Sequence, residues 1–130
     1  MPRKKKSEQL TPLELEIMKV LWETGAANVQ TVQGHLEREL AYTTVQTMLN
    51  VLHRKDKVTR ELREKAYFYR PAVSRKQVMK QTVGDIVDRM FGGSAEKLVM
   101  SLLETRRLTP ETLSRLNALI DKEAKDGRDK

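Results

Sequence analysis

The chain has 130 residues, of which 38% are hydrophobic, 33% charged and only 5% aromatic, and its formal net charge is +7. That length gives one domain or two very small ones, with a modest core but no room for an enzyme of several lobes. The absence of cysteine removes disulfides, thiolate metal sites and thiol nucleophiles, and six glycines with so few aromatics argue against a β-sandwich.

The charge is unevenly placed: residues 1–6 carry +4, 7–40 carry −4, 41–73 carry +4 and 74–130 carry +3. A localised excess of this kind draws in a polyanion through counterion release. The opening MPRKKKSEQ is basic but leads into no apolar segment, so it reads as neither signal peptide nor membrane anchor. No apolar run approaches the length needed to span a bilayer. A soluble, cytoplasmic protein without membrane insertion is expected, with residues 1–9 a disordered basic arm and 126–130 a disordered tail.

The first helix opens at Leu10-Thr11-Pro12, with Thr11 as N-cap, Pro12 at the first helical position and Glu14 completing a capping box. Leu13, Ile17, Val20 and Leu21 form its buried stripe, Met18 and Trp22 lie at the stripe's edge, and Gly25 ends it. A second helix follows the N-cap Asn28 and turns Val29, Val32, Leu36 and Leu40 inward. Ala41 and Tyr42 make a short turn, and Thr43 caps a third helix with Gln46 as its capping-box partner. Helices two and three joined so closely are a helix-turn-helix candidate.

The third helix carries two stripes. Val45, Met48, Leu49 and Leu52 recur at i, i+3, i+4 and i+7, while Thr43, Gln46, Thr47 and Asn50 line an uncharged polar face. Most polar helix faces are merely solvated, but those are usually rich in Glu and Lys, whereas Thr and Asn are poor helix formers. Hydroxyls and amides both donate and accept, and Gln or Asn can pair bidentately with adenine in a major groove. Arg54, Lys55 and Lys57 follow where a helix leaving the groove meets phosphates. This segment reads as a DNA recognition helix. Capping and base reading compete for Thr43 and Gln46, which makes Thr47 and Asn50 the cleaner readers.

After Asp56 the period changes to two: VTREL and AYFYR alternate around Arg63-Glu64-Lys65 and read as a β-hairpin, with no strong turn pair to fix its register. Arg60, Arg63 and Lys65 project from its strands and tip, as on the wing of a winged helix. Tyr67, Phe68 and Tyr69 offer stacking faces for single-stranded nucleic acid, but period two turns Phe68 to the face opposite the two tyrosines, and Phe68 is expected to pack on the third helix instead. Pro71 closes the hairpin.

Ser74 and Gln77 open a further helix whose stripe of Met79, Val83, Ile86, Val87, Met90 and Phe91 runs to Gly92-Gly93. A shorter helix from Ser94 bears Leu98, Val99, Leu102 and Leu103, and Thr109-Pro110 starts a last one with Leu113, Leu116 and Ile120. Three amphipathic helices in about 55 residues struggle to bury their faces alone, so these stripes are assigned to dimerisation. Two-fold dimers suit readers of pseudo-palindromic sites. The expected fold is mainly α with a small hairpin: a winged helix-turn-helix over residues 10–73 and a helical dimerisation region over 74–125.

Four blocks in order, LTPLELEIMKVLWE (10–23), AYTTVQTMLNVLHRKDKV (41–58), AYFYRP (66–71) and FGGSAEKLVMSLLE (91–104), resemble the BlaI/MecI-type penicillinase-repressor family over nearly the whole chain. The resemblance implies a homodimeric transcriptional repressor whose N-terminal half binds an operator. By position it sets Thr43, Thr44, Gln46, Thr47 and Asn50 toward DNA and Arg60, Arg63 and Lys65 toward the backbone. Asp56 stands where family members usually have Gly. The copper-responsive branch carries a C-terminal cysteine hook, which a chain without Cys lacks. In the β-lactam-responsive branch, which implies a membrane sensor protease as partner, an Asn-Phe bond is cut; the corresponding residues here are Ser101-Leu102, so the inducing signal stays open.

His35 and His53 lack a third ligand of metal-binding spacing. Glu14 with Glu16, and Asp85 with Asp88, read as helix-surface charges without a nucleophile nearby, and no phosphate loop or nucleophile elbow occurs. No enzymatic activity, metal or cofactor is expected. Two alternatives to the repressor stay open: a small-molecule-responsive regulator of the multidrug type, and an RNA- or protein-interaction module.

Overall fold

The computed structural model describes residues 9–128; the first eight of the nine residues of the expected basic arm and the last two residues of the expected tail lie outside them. Among the described residues there are six helices and one hairpin: α1 (Pro12–Thr24), α2 (Val29–His35), α3 (Tyr42–Arg54), β1 (Val58–Arg63), β2 (Ala66–Pro71), α4 (Arg75–Met90), α5 (Ala95–Glu104) and α6 (Pro110–Arg128). The mainly helical fold with a small wing therefore stands as the sequence implied. The chain divides into two compact units between Thr82 and Val83, within α4.

Caps account for most of the helix starts. Glu14 N–H donates to the Thr11 hydroxyl at 3.2 Å while Thr11 N–H donates to the Glu14 carboxylate at 2.9 Å, the reciprocal pair of a capping box. Asn28 accepts from Thr31 N–H at 2.8 Å, Ser74 and Gln77 exchange bonds of 3.0 and 2.8 Å, and Ser94 accepts from Lys97 N–H at 3.1 Å. Gly25, with φ +86, ends α1 and returns its N–H to the Leu21 carbonyl.

The core of the N-terminal unit is built by Ile17, Met18 and Leu21 of α1, Val32 of α2, Val45, Leu49 and Leu52 of α3, and Val58 and Tyr69 of the wing, all essentially inaccessible. Met18 is thus central rather than marginal, while Leu13 is only half-buried. Trp22 packs at the edge and donates its indole N–H to the Val73 carbonyl at 3.0 Å. The helix α2 stops at His35; Leu36 and Leu40 pack on the core from the connection that follows, where Gln33 donates to the Leu40 carbonyl. The connection to α3 is therefore longer than the Ala41-Tyr42 turn read from the sequence.

The wing pairs Val58 with Pro71 through to Arg63 with Ala66, antiparallel, so its loop has two residues, Glu64 and Lys65. Both have positive φ, +48 and +74, the signs of a primed hairpin turn, made here without the usual Asn-Gly. A short bridge between Ala27 and Tyr69, with bonds of 3.0 and 2.8 Å, ties the α1–α2 connection to β2. That third strand fragment leaves no periodic signal in so short a segment.

The inward aromatic of the wing is Tyr69, only 2% exposed, and not Phe68. The strand alternates with period two as expected but in the opposite phase, because both faces of β2 carry an aromatic ring and alternation alone does not say which meets the core. Tyr69 is thereby removed from any stacking role. Among the described residues, no side chain of α4, α5 or α6 is buried. The helix α6 continues to Arg128, past residue 125 where the sequence suggested a tail.

Candidate nucleic-acid interface

The N-cap of α3 is Ala41, which makes no side-chain capping bond, so Thr43 lies inside the first turn instead of capping it. That corrects the expected capping box and leaves the Thr43 hydroxyl and Gln46 amide uncommitted to the helix end. At about 100° per residue, Thr43, Thr47, Asn50 and Arg54 share one line along the outer face, Gln46 flanks it and Thr44 falls a quarter-turn away. Thr43, Thr44, Gln46, Thr47 and Arg54 are exposed, opposite the buried Val45, Leu49 and Leu52.

Asn50 is half-buried and differs from the rest. Its Oδ1 accepts from Arg60 Nη1 at 3.2 Å and from the Tyr69 hydroxyl at 3.4 Å. Arg60 in turn lies with Cζ 4.2 Å from the centroid of the Tyr67 ring, a cation–π contact, and Tyr67 stands 6.3 Å from Tyr69. The hairpin register puts Arg60 on the face of the wing that also carries Val58, Tyr67 and Tyr69. Arg63 occupies the opposite face, over Phe68 at 5.2 Å and paired with Glu61 at 3.3 Å, and Lys65 is at the tip. The three wing cations thus cover two faces and the end of the hairpin.

Two cations named as phosphate contacts are placed otherwise. Lys55 Nζ donates to both Glu14 carboxylate oxygens at 2.8 and 3.0 Å and to the Gln9 carbonyl at 3.1 Å. Glu14 is buried, so this ion pair joins the start of α1 to the end of α3, and Glu14 is not the surface charge the sequence suggested. Lys57 is also buried, with its backbone paired to Leu52 and Ala72. Charge alone does not separate these two lysines from Arg54, because all three cluster at the end of the same helix.

The end of α3 is a Schellman motif: Lys57 N–H donates to the Leu52 carbonyl at 2.9 Å and Asp56 N–H to His53 at 3.1 Å. Asp56 occupies the left-handed position with φ +63, where Gly is the residue without steric cost. Elsewhere in the unit, Arg38 donates to Glu16 and holds its carboxyl below the ordinary carboxylate range, with Lys19 adding a smaller coulombic pull.

In the C-terminal unit, Val83, Ile86, Met90, Leu116 and Ile120 are exposed, and Val87, Phe91, Leu98, Leu102 and Leu113 are half-buried. Met100 and Leu119 of the same unit are exposed as well, as is Met79 on the part of α4 that belongs to the N-terminal unit. Ser101 and Leu102 sit within α5, both half-buried, and their carbonyls accept from Thr105 and Arg107 N–H at 2.9 Å. Among the described residues, no group of three His, Cys, Asp or Glu side chains is arranged to hold a metal, and no helix is long and apolar enough to cross a membrane.

A helix-turn-helix with an exposed Thr/Gln face beside a basic two-stranded wing defines a winged-helix DNA-binding protein. The family model described as penicillinase repressor matches residues 10–122. The chain belongs to the penicillinase repressor family and is a DNA-binding transcriptional repressor, not an enzyme. It is 25% identical over 119 residues to the penicillinase repressor of Bacillus licheniformis, covering 90% of this chain and 93% of that one. Identity to the Staphylococcus aureus penicillinase repressor is 20% over 118 residues, covering 89% and 94% of the two chains. With the methicillin resistance regulatory protein MecI of Mammaliicoccus sciuri it is 19% over 119 residues, covering 90% and 97%.

Proposed function

We propose that the repressor acts as a homodimer on a pseudo-palindromic operator, with residues 10–73 binding DNA and residues 74–125 holding the two copies together. The observation that carries the dimer is the apolar surface of α4, α5 and α6, whose large side chains have no buried member among the described residues. Each such side chain left in water forgoes about 1.5–3 kcal/mol relative to full burial. A second copy supplies the same stripes, and a two-fold interface is self-complementary.

On the DNA side, Thr43, Gln46 and Thr47 address base edges in the major groove, with Thr44 flanking, while Arg54, Arg63 and Lys65 meet phosphates. Arg60 joins them from the helix-facing side of the wing. Lys55 is left out of this set because its ammonium is already engaged by Glu14. Relief of repression by a membrane sensor protease at Ser101–Leu102 would first require the end of α5 to open, since both residues lie inside the helix and their carbonyls accept from the residues that close it, Thr105, Arg107 and Leu108.

Sedimentation of the free chain, with and without a duplex, tests this reading. A dimer in solution that binds one duplex, prefers it to single-stranded RNA and loses affinity steeply with salt supports it. A monomer at micromolar concentration, or equal affinity for single-stranded RNA and duplex DNA, contradicts it.

A further inference from the structure

The polar face of α3 contains one residue whose hydrogen-bonding capacity is already divided. An adenine-reading Asn needs its carbonyl oxygen as acceptor and its amide as donor, both aimed at the base edge. Asn50 does not have that oxygen to offer: Oδ1 takes the Arg60 guanidinium at 3.2 Å and the Tyr69 hydroxyl at 3.4 Å, which occupies both lone pairs. The orientation of the amide is fixed by chemistry, because a guanidinium only donates and so must face the oxygen.

Arg60 is held from two sides. Asn50 takes Nη1, and the Tyr67 ring lies under the guanidinium plane at 4.2 Å. Its remaining N–H groups stay available at the seam between α3 and the wing, and a guanidinium fixed in this way matches a phosphate bidentately. Ordering a long, flexible Arg before binding removes an entropy cost that would otherwise fall on the complex.

We infer that Asn50 is a positioning residue rather than a base reader: it spends its oxygen on Arg60 and so sets that guanidinium to clamp an operator phosphate where the recognition helix meets the wing. This rests on the operator-binding reading above. The base-specific contacts then fall to Thr43, Gln46 and Thr47, and Asn50 contributes to affinity only through Arg60.

A double-mutant cycle of Asn50→Ala and Arg60→Ala on a selected operator tests it, with melting temperatures recorded for each full-length variant. Each single change is expected to weaken binding about tenfold, with the double no weaker than Arg60→Ala alone, which is the signature of a coupled pair. Asn50→Ala should lower affinity for all sequences alike and leave the ranking of base substitutions in the operator unchanged. Additive losses, or the collapse of discrimination at one base position in Asn50→Ala, would overturn the assignment. Because Asn50 also bonds Tyr69, Tyr69→Phe serves as control: it removes the core bond but keeps the Arg60 clamp, and full operator affinity is expected. A loss matching that of Asn50→Ala would attribute the effect to the core bond and overturn the inference. Absence of operator binding by the unaltered chain would instead refute the repressor reading.

Discussion

At Asp56 a side chain occupies a backbone position that suits none, since φ is +63 at the residue closing the Schellman motif of α3. Replacement by Gly should raise stability by about 1 kcal/mol, read from the urea midpoint, and strengthen DNA binding by removing an acid beside the phosphate-facing cations. A lower midpoint would mean that the carboxylate contributes more than its conformation costs. Glu64 and Lys65 pose the same problem at the wing tip, with φ of +48 and +74. The double change Glu64→Asn, Lys65→Gly should stabilise the hairpin by about 1–2 kcal/mol and weaken DNA binding through loss of the tip cation. Glu16 gives a pH dependence of known sign. Its carboxyl is lowered chiefly by the Arg38 hydrogen bond, so its contribution is present above the unfolded-state value and lost as pH falls through the lowered folded value. Glu16→Gln should therefore flatten the acid limb of a stability–pH profile, and an unchanged limb would discount the pair. Asp56 is signalled only by standing where family members usually have Gly, whereas Glu64, Lys65 and Arg106, also left-handed, carry no mark in the sequence of the conformation they are forced into. The role of Glu14 was half legible: its cap follows from spacing, its burial against Lys55 only from the folded chain.

The elements themselves were legible where local chemistry fixes them. Thr11, Asn28, Ser74 and Ser94 announce helix starts, and the change from helical period to period two after Asp56 marks the wing. What failed needed tertiary information. The phase of β2 is undetermined between Phe68 and Tyr69, the end of α2 is masked by Leu36 and Leu40 continuing an apolar pattern beyond the helix, and Thr43 resembles a cap although it lies two residues past the real N-cap, Ala41. The outer face of α3 survived these errors because it is defined by the buried Val45, Leu49 and Leu52 on the other side. Two classes of contact on these elements should separate experimentally. Thr47→Ala should reduce operator affinity by about 1 kcal/mol or more while sparing nonspecific DNA, whereas Arg63→Ala should weaken every sequence and lower the salt slope by about one. Equal effects of both variants on operator and nonspecific DNA would dissolve the division between base readers and phosphate contacts.

Two units of different character share the chain. The N-terminal unit closes its own core around Leu21, Val32, Leu49 and Tyr69, whereas the C-terminal helices present Met90 at 73% and Ile120 at 62% exposure. The sequence carried this contrast as apolar stripes without enough chain to cover them. Breaking the stripe tests its purpose: Ile120→Glu should yield a folded monomer and cost operator affinity about a hundredfold or more, because the second recognition helix is no longer delivered at high local concentration. Retention of a dimer by that variant would place the interface elsewhere. The central claim is that two such chains read a symmetric DNA site. In-vitro selection of genomic DNA fragments by the purified protein, at near-physiological salt and with the retained fragments sequenced, tests it most directly. Enrichment of short inverted repeats with half-sites about one helical turn apart, or a multiple of it, is the result predicted. Recovery of fragments without any shared motif would contradict it.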